Sequence, residues 1–254
     1  MPRCPRCGGE VSDEASFCPK CGFSLEGADE GDWPRTGATD HLRFGFQLAS
    51  EKPMVFAPAL LGSLISIVIS NFTRFSLGIH QQRLWDLWPG AASYPSGSVS
   101  LFVFSGLLSL VGFVVSYILF FASIDMSRDA YFDSPLNLSG SVSYVLSRIG
   151  LFIVASVVGA FLSITIILIP VVILMFVVMV VDEAGVGHSL PRAFSVVRGE
   201  LGDVIILLVV SIVGSIILGI VPYISDLLVS ALEVIIGLAF IDLYYLYKKK
   251  SPTY

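Results

Sequence analysis

The sequence predicts an all-α polytopic helical bundle that crosses a membrane about six times and carries a small zinc ribbon at its N-terminus; three observations predict it. Of 254 residues, 55% are hydrophobic and only 14% charged, with a mean hydropathy of +0.83, against roughly 25% charged residues in soluble domains. The charges crowd into positions 1–53 and into short gaps between long uncharged runs, which is how loops and spans divide. All four cysteines stand in two close pairs at the start of the chain. A net charge of −5 argues against a surface for polyanions, so nucleic acid is not an expected partner.

The cysteine pairs come first in the chain. Cys4 and Cys7, then Cys18 and Cys21, give C-x2-C, ten residues, C-x2-C. Each pair forms a knuckle offering two thiolates to one ion, and Gly8 and Gly22 after the second cysteine of each pair allow the tight turn that this needs. Four thiolates close a tetrahedral site with no position open for water, so one zinc ion here is structural rather than catalytic. A redox C-x-x-C normally sits beside a βαβ unit, and nothing before residue 53 could build one. No basic and apolar leader precedes Cys4, so the ribbon is expected in the reducing cytosol, where paired cysteines favour metal over disulfides. About 25 residues are too few for a core, so the metal would supply most of the folding free energy. With Phe17 before the third cysteine and the closing Gly22-Phe23-Ser24-Leu25, residues 1–25 resemble the zinc-ribbon family found at the N-termini of many prokaryotic, often archaeal, membrane proteins. Residues 26–40 are acidic and glycine-rich without apolar period, and read as a flexible tether.

The membrane domain is expected over 41–250. A crossing helix needs about 20 apolar residues, and spans are expected near 54–72, 98–124, 149–168, 169–182, 203–223 and 226–247. The run Ile149 to Val181 is ambiguous: as one helix it would be about 50 Å long, against a core of about 30 Å. It either tilts strongly or breaks at Pro170, which lacks a backbone donor. Parity favours the break. If the ribbon is cytosolic and Lys248-Lys249-Lys250 obeys the positive-inside rule, both termini share a side and the span count is even. Arg128, Arg148, Arg192 and Arg198 then fall in inside loops, and Trp85, Trp88 and Tyr94 fit either an interfacial belt or loop packing.

Before three of the spans lies a short segment with spacing i, i+3, i+4, i+7: Leu42, Gly45, Phe46, Ala49; Leu138, Ser141, Val142, Val145; and Leu190, Ala193, Phe194, Val197. Small residues at Gly45 and Ser141 weaken the apolar face of the first two, while the third reads as an amphipathic helix lying in the membrane plane. The second and third segments also match at a constant offset, pairing Leu138 with Leu190, Ser143 with Ser195 and Gly150 with Gly202. The domain is then three units of in-plane helix plus hairpin, and internal repeats are frequent in transporters. From Val180 to about Val210 the sequence (VVDEAGVGHSLPRAFSVVRGELGD and following) resembles a recurring segment of a six-span group that includes the membrane domain fused to some glycerophosphodiester phosphodiesterases. No phosphodiesterase barrel follows residue 254, so that resemblance implies the membrane domain alone.

Glu233, within the last expected span, is the clearest polar anomaly, and an ionisable group there is a functional hypothesis by default. Asp226, seven residues earlier, shares its helical face, so the two form a possible intramembrane polar site; the plainer alternative is a protonated Glu233 bonded to a serine. Asp182 and Glu183 can ligate a metal with His188 or, more simply, pair with Arg192 and Arg198. His41, His80 and His188 are scattered, and no catalytic constellation is visible. Small residues every four positions, at Gly62, Ser66, Ser70 and at Ser211, Ser215, Gly219, mark close helix packing. The preferred expectation is a non-enzymatic protein of the cell membrane, both termini cytosolic, whose ribbon contacts a partner protein while the bundle anchors it in the bilayer. The alternative is a small transporter or lipid-handling protein; a homo-oligomer fits either.

Overall fold

The structure, a computed structural model, describes residues 37–76, 98–221 and 224–250. The four cysteines, residues 26–36 of the expected tether, and His80, Trp85, Trp88 and Tyr94 lie outside the described residues, while the last residues expected in the tether begin α1. Among those described are nine α-helices and no strand: α1 (Ala38–Glu51), α2 (Ala57–Ser76), α3 (Ser98–Tyr131), α4 (Leu138–Ser147), α5 (Ile149–Ser163), α6 (Ile169–Val181), α7 (Val186–Gly199), α8 (Leu201–Gly219) and α9 (Ser225–Lys250). α2, α3, α8 and α9 are each long and apolar enough to cross a bilayer. α3 runs past the expected end at Ile124 because Asp125, Arg128 and Asp129 sit beyond the apolar stretch and find charged partners there.

The long run 149–181 breaks. A 3-10 turn at Ile166–Leu168 ends α5, and Pro170 falls in the first turn of α6, where its missing N–H costs nothing. The arms double back on each other: Arg148 before α5 bonds Glu183 after α6, and a Cβ on Gly159 would lie 2.9 Å from Val172 and 3.3 Å from Phe176. At 15 and 13 residues these arms reach about 22 and 20 Å, short of a full core. α4 and α5, bent by 75° at their break, can be counted as one broken span. α6 is apolar all round and buried from Pro170 to Val180 except Ile173 and Phe176, the pattern of a central helix.

Ion pairs fix the direction of all six apolar helices. Lys52, ahead of α2, binds Asp133, after α3, at 2.6 Å. Arg148 binds Glu183 at 3.1 Å across α5 and α6, and Glu200, ahead of α8, binds Lys250 at the end of α9 at 2.9 Å. Each hairpin is thus clasped where it begins and ends, so α2, α5 and α8 rise from one end of the bundle and α3, α6 and α9 return to it. Asp133 and Glu183 also share a left-handed backbone, φ 56° and 50°, the conformation that closes a helix C-terminus.

The short helices α1, α4 and α7 each lead one hairpin and lie against the returning helix of another: α4 on α3, α7 on α6, α1 on α9. The third contact closes the series onto the first unit, making a ring of three. The small residues of the repeated spacing are its contact points rather than gaps in an apolar face: Gly45, Ser141 and Ala193 are all buried. A Cβ on Gly45 would stand 2.7 Å from the Ile235 carbonyl oxygen, so α1 rests on the backbone of α9. Phe46, expected on the packed face, is instead 62% exposed. Asn137 caps α4 by accepting from the N–H groups of Ser139 and Gly140, and α1 is capped from a distance, its Ala38 N–H donating to Asp203 of α8 at 2.9 Å.

Candidate functional site

α9 packs against α1, α2, α3, α6, α7 and α8, and one stripe along it borders open space. There a cavity of about 670 Å³ opens between α9 and parts of α2, α3, α6 and α8, within the 300–1,000 Å³ of ligand pockets. On α9 its wall runs from Ser225 to Ile241, about 24 Å at 1.5 Å per residue.

Asp226 and Glu233 both line this slot, as the shared face of their helix requires. Glu233 falls midway along it. Tyr131 of α3 meets Asp242 and Tyr245 of α9, a register that sets Glu233 at the height between Ser116 and Ser123. Hydroxyls follow the slot in both directions: Ser127 and Ser123 toward the clasped end, the bonded pair Ser66 and Ser116 (3.0 Å), then Ser230 and Ser225 toward the other. Phe120, Phe176 and Phe240 give it an apolar flank. Among the described residues no hydrogen-bond donor and no cation reaches Glu233 or Asp226, so the expected bond from a serine to Glu233 is not made.

The expected small-residue stripes divide between slot and packing. Gly62 and Ser66 stand where α2 meets α3, beside Leu119 and Ser116, and Ser70 is exposed. On α8, Ser211 and Gly219 face the slot, and the close approach to α9 falls at Gly214, whose added Cβ would lie 2.6 Å from Leu232.

At the clasped end the carboxylates are paired. Asp182 accepts from Tyr244 at 2.5 Å and Lys248 at 2.8 Å and is ion-paired to Arg192. Burial pushes its carboxyl up, but the hydrogen bonds from Lys248 and Tyr244 and the charges of Lys248 and Arg192 outweigh this and hold it below its ordinary range. The pairing with Arg192 matches the reading from sequence; Arg198 takes no part, and Glu183 instead binds Arg128 and Arg148. Both guanidinium groups also cover the ring of Tyr144, at 5.3 and 5.1 Å. His188 is exposed, and no group of three metal-ligating side chains occurs among the described residues.

Sequence reasoning missed the most buried of these pairs. His41 Nδ1 lies 2.7 Å from Asp242 Oδ2, with 5% and 0% of their side chains exposed, and Tyr131 donates to the other carboxylate oxygen at 3.1 Å. The partners are 201 residues apart, so no local pattern joins them. Together the pairs tie the ring: Asp242 of α9 holds α1 through His41, Asp182 at the end of α6 holds α7 through Arg192, and Asp125 of α3 holds Arg128 at 3.0 Å over Tyr144 of α4.

A helical bundle with four long apolar helices, charges gathered at one end and an acid-bearing slot in its middle defines a polytopic membrane protein. It belongs to DUF7544, a family of unknown function, which matches residues 20–250. Residues 3–25 match a zinc-ribbon domain. No curated protein and no solved structure matches the chain, and nothing in the comparisons supports the resemblance to the membrane domain of glycerophosphodiester phosphodiesterases.

Proposed function

We propose that the protein is a non-enzymatic membrane protein that binds a solute from the bilayer in the slot along α9, as a small transporter or lipid-handling protein does. The observation that carries this reading is Glu233, an ionisable side chain at mid-depth of a ligand-sized cavity with no partner among the described residues. Glu233 is exposed to the slot rather than packed into the bundle, an ionisable group within a span is a functional site by default, and hydroxyls on both sides of it extend a polar track toward each end. Gly237 lines the slot, and a Cβ added there meets nothing within 4 Å. Gly237→Phe therefore fills the slot without disturbing packing. Purified with its native lipids, the wild type should carry a small molecule or lipid, detectable by mass spectrometry, that this variant lacks; equal content in both sinks the reading.

A second reading rests on the match to a zinc-ribbon domain at 3–25. Cys4, Cys7, Cys18 and Cys21 form a donor set of four thiolates suited to one tetrahedral zinc ion, which when bound folds a segment too small for a core. In this proposal the ribbon is a separate cytosolic contact for a partner protein, and the clasped end, rich in Arg128, Arg148, Arg192 and Lys248 to Lys250, faces the cytosol as the positive-inside rule requires. Changing the four cysteines to serine should remove one zinc per chain and any co-purifying protein together while leaving the slot's contents in place. A reporter fused after residue 254 that reads as extracellular would overturn the orientation.

A further inference from the structure

We infer that the slot takes a monovalent organic cation, which replaces a proton on Glu233 when it binds. The inference rests on the reading of the slot as a solute site and names its ligand. The reasoning starts from charge. Glu233 is exposed to the open slot, and where lipid rather than water surrounds it a lone carboxylate is disfavoured, which favours two states, protonated or paired with a positive charge. Every lining residue contributed by α2, α3, α6 and α8 is a serine, a glycine or apolar, and the one other titratable lining group is Asp226 on α9 itself. Among the described residues none offers Glu233 a cation, so in this inference the positive charge comes from the ligand. Cation binding then follows a balanced exchange: the carboxylic acid gives up its proton to solvent, and the carboxylate so formed pairs with the ligand.

The lining also decides what kind of cation fits. Calcium takes six to eight oxygen ligands and magnesium a near-ideal octahedron. Glu233 and Asp226 are seven residues apart on one helix, about 10.5 Å along the axis, too far to hold one small ion between them. What lines the slot around Glu233 instead is a mixture of serine hydroxyls and an apolar flank that includes Phe120, Phe176 and Phe240, and aromatic rings attract a weakly hydrated ammonium where it meets their faces. A positive head with an apolar tail matches both the acid and the apolar flank.

The test uses the full chain in lipid nanodiscs with a matched pair of probes, dodecyltrimethylammonium and dodecanol, and reads binding by calorimetry in buffers of different ionisation heat. Dodecyltrimethylammonium should bind with release of about one proton per site, its affinity rising about tenfold per pH unit until Glu233 is ionised. Glu233→Gln should weaken it at least tenfold and abolish proton release, while Glu233→Asp keeps both. Binding that is independent of pH and releases no proton in the wild type overturns the inference, and needs no variant to fold. So does sodium alone releasing the proton, which would make the site one for inorganic cations. If dodecanol is the probe that binds and Gly237→Phe blocks it, the cation inference fails and the solute site stands. If Gly237→Phe changes the binding of neither probe, the solute site fails as well.

Discussion

The clasped end and the middle of the bundle treat carboxylates in opposite ways. At the end, Asp182, Asp242 and Glu183 each have at least two polar partners from other helices. Nine residues above Asp242 on the same α9, Glu233 has none among those described. Lipid gives little hydrophobic drive for helices to associate, so packing and interhelical hydrogen bonds hold such a bundle together. The paired acids serve that purpose, and Glu233 does not. One helix therefore carries both a structural acid and one left free for something else.

Removing acids separates the two roles. The largest effect is expected at Asp242: Asp242→Ala leaves His41 and Tyr131 facing each other in a buried space and should cost about 3 to 5 kcal/mol, read as a lower unfolding midpoint in mild detergent. Asp182→Asn should cost about 2 kcal/mol, less because Lys248 and Arg192 can turn to water. Asp182 also sets a sign for pH. Its carboxyl is held below the ordinary range, so its contribution is complete above the usual aspartate value of about 3.9 and is lost as pH falls through the lower folded value. Thermal melts across acid pH should show that loss in the wild type and not in Asp182→Asn. Glu233→Gln should do the reverse of both, leaving the unfolding midpoint unchanged or higher, because the exposed Glu233 holds no partner among the described residues; destabilisation there would erase the contrast between the two regions. The smallest effect belongs to Lys52→Ala. Asp133 is 93% exposed, so the clasp adds little stability, but the hydrogen bond and charge of Lys52 hold the Asp133 carboxyl down, and its titration followed by NMR should move up toward the usual value.

Much of this was legible in the chain. Uncharged runs marked the long helices, Pro170 marked the break between α5 and α6, and the seven-residue spacing of Asp226 and Glu233 put both on the face that lines the slot. The repeat at Leu138 and Leu190 pointed to the units that the structure arranges in a ring. What stayed hidden was every pairing between distant helices. His41 and Asp242 carry no mutual signal at a separation of 201 residues. Apolar content, the guide to span ends, stops the second span at 124 and puts Arg128 in a loop, because it says nothing of a helix that continues into a charged layer. Gly45 was misread for a related reason: hydrophobicity scores it as a gap, while the geometry of two touching backbones requires the absence of a side chain.

The closed series of three hairpins has a topological consequence. Residues 38 and 250 both reach the start of α8, through Asp203 and Glu200, so the order of units around the ring has no privileged first member. A circular permutant that joins residue 250 to residue 38 through a short linker and opens between α6 and α7 would keep every clasp and every hand-off from Asp125, Asp182 and Asp242. Such a molecule would begin with the third unit and still fold to the same bundle.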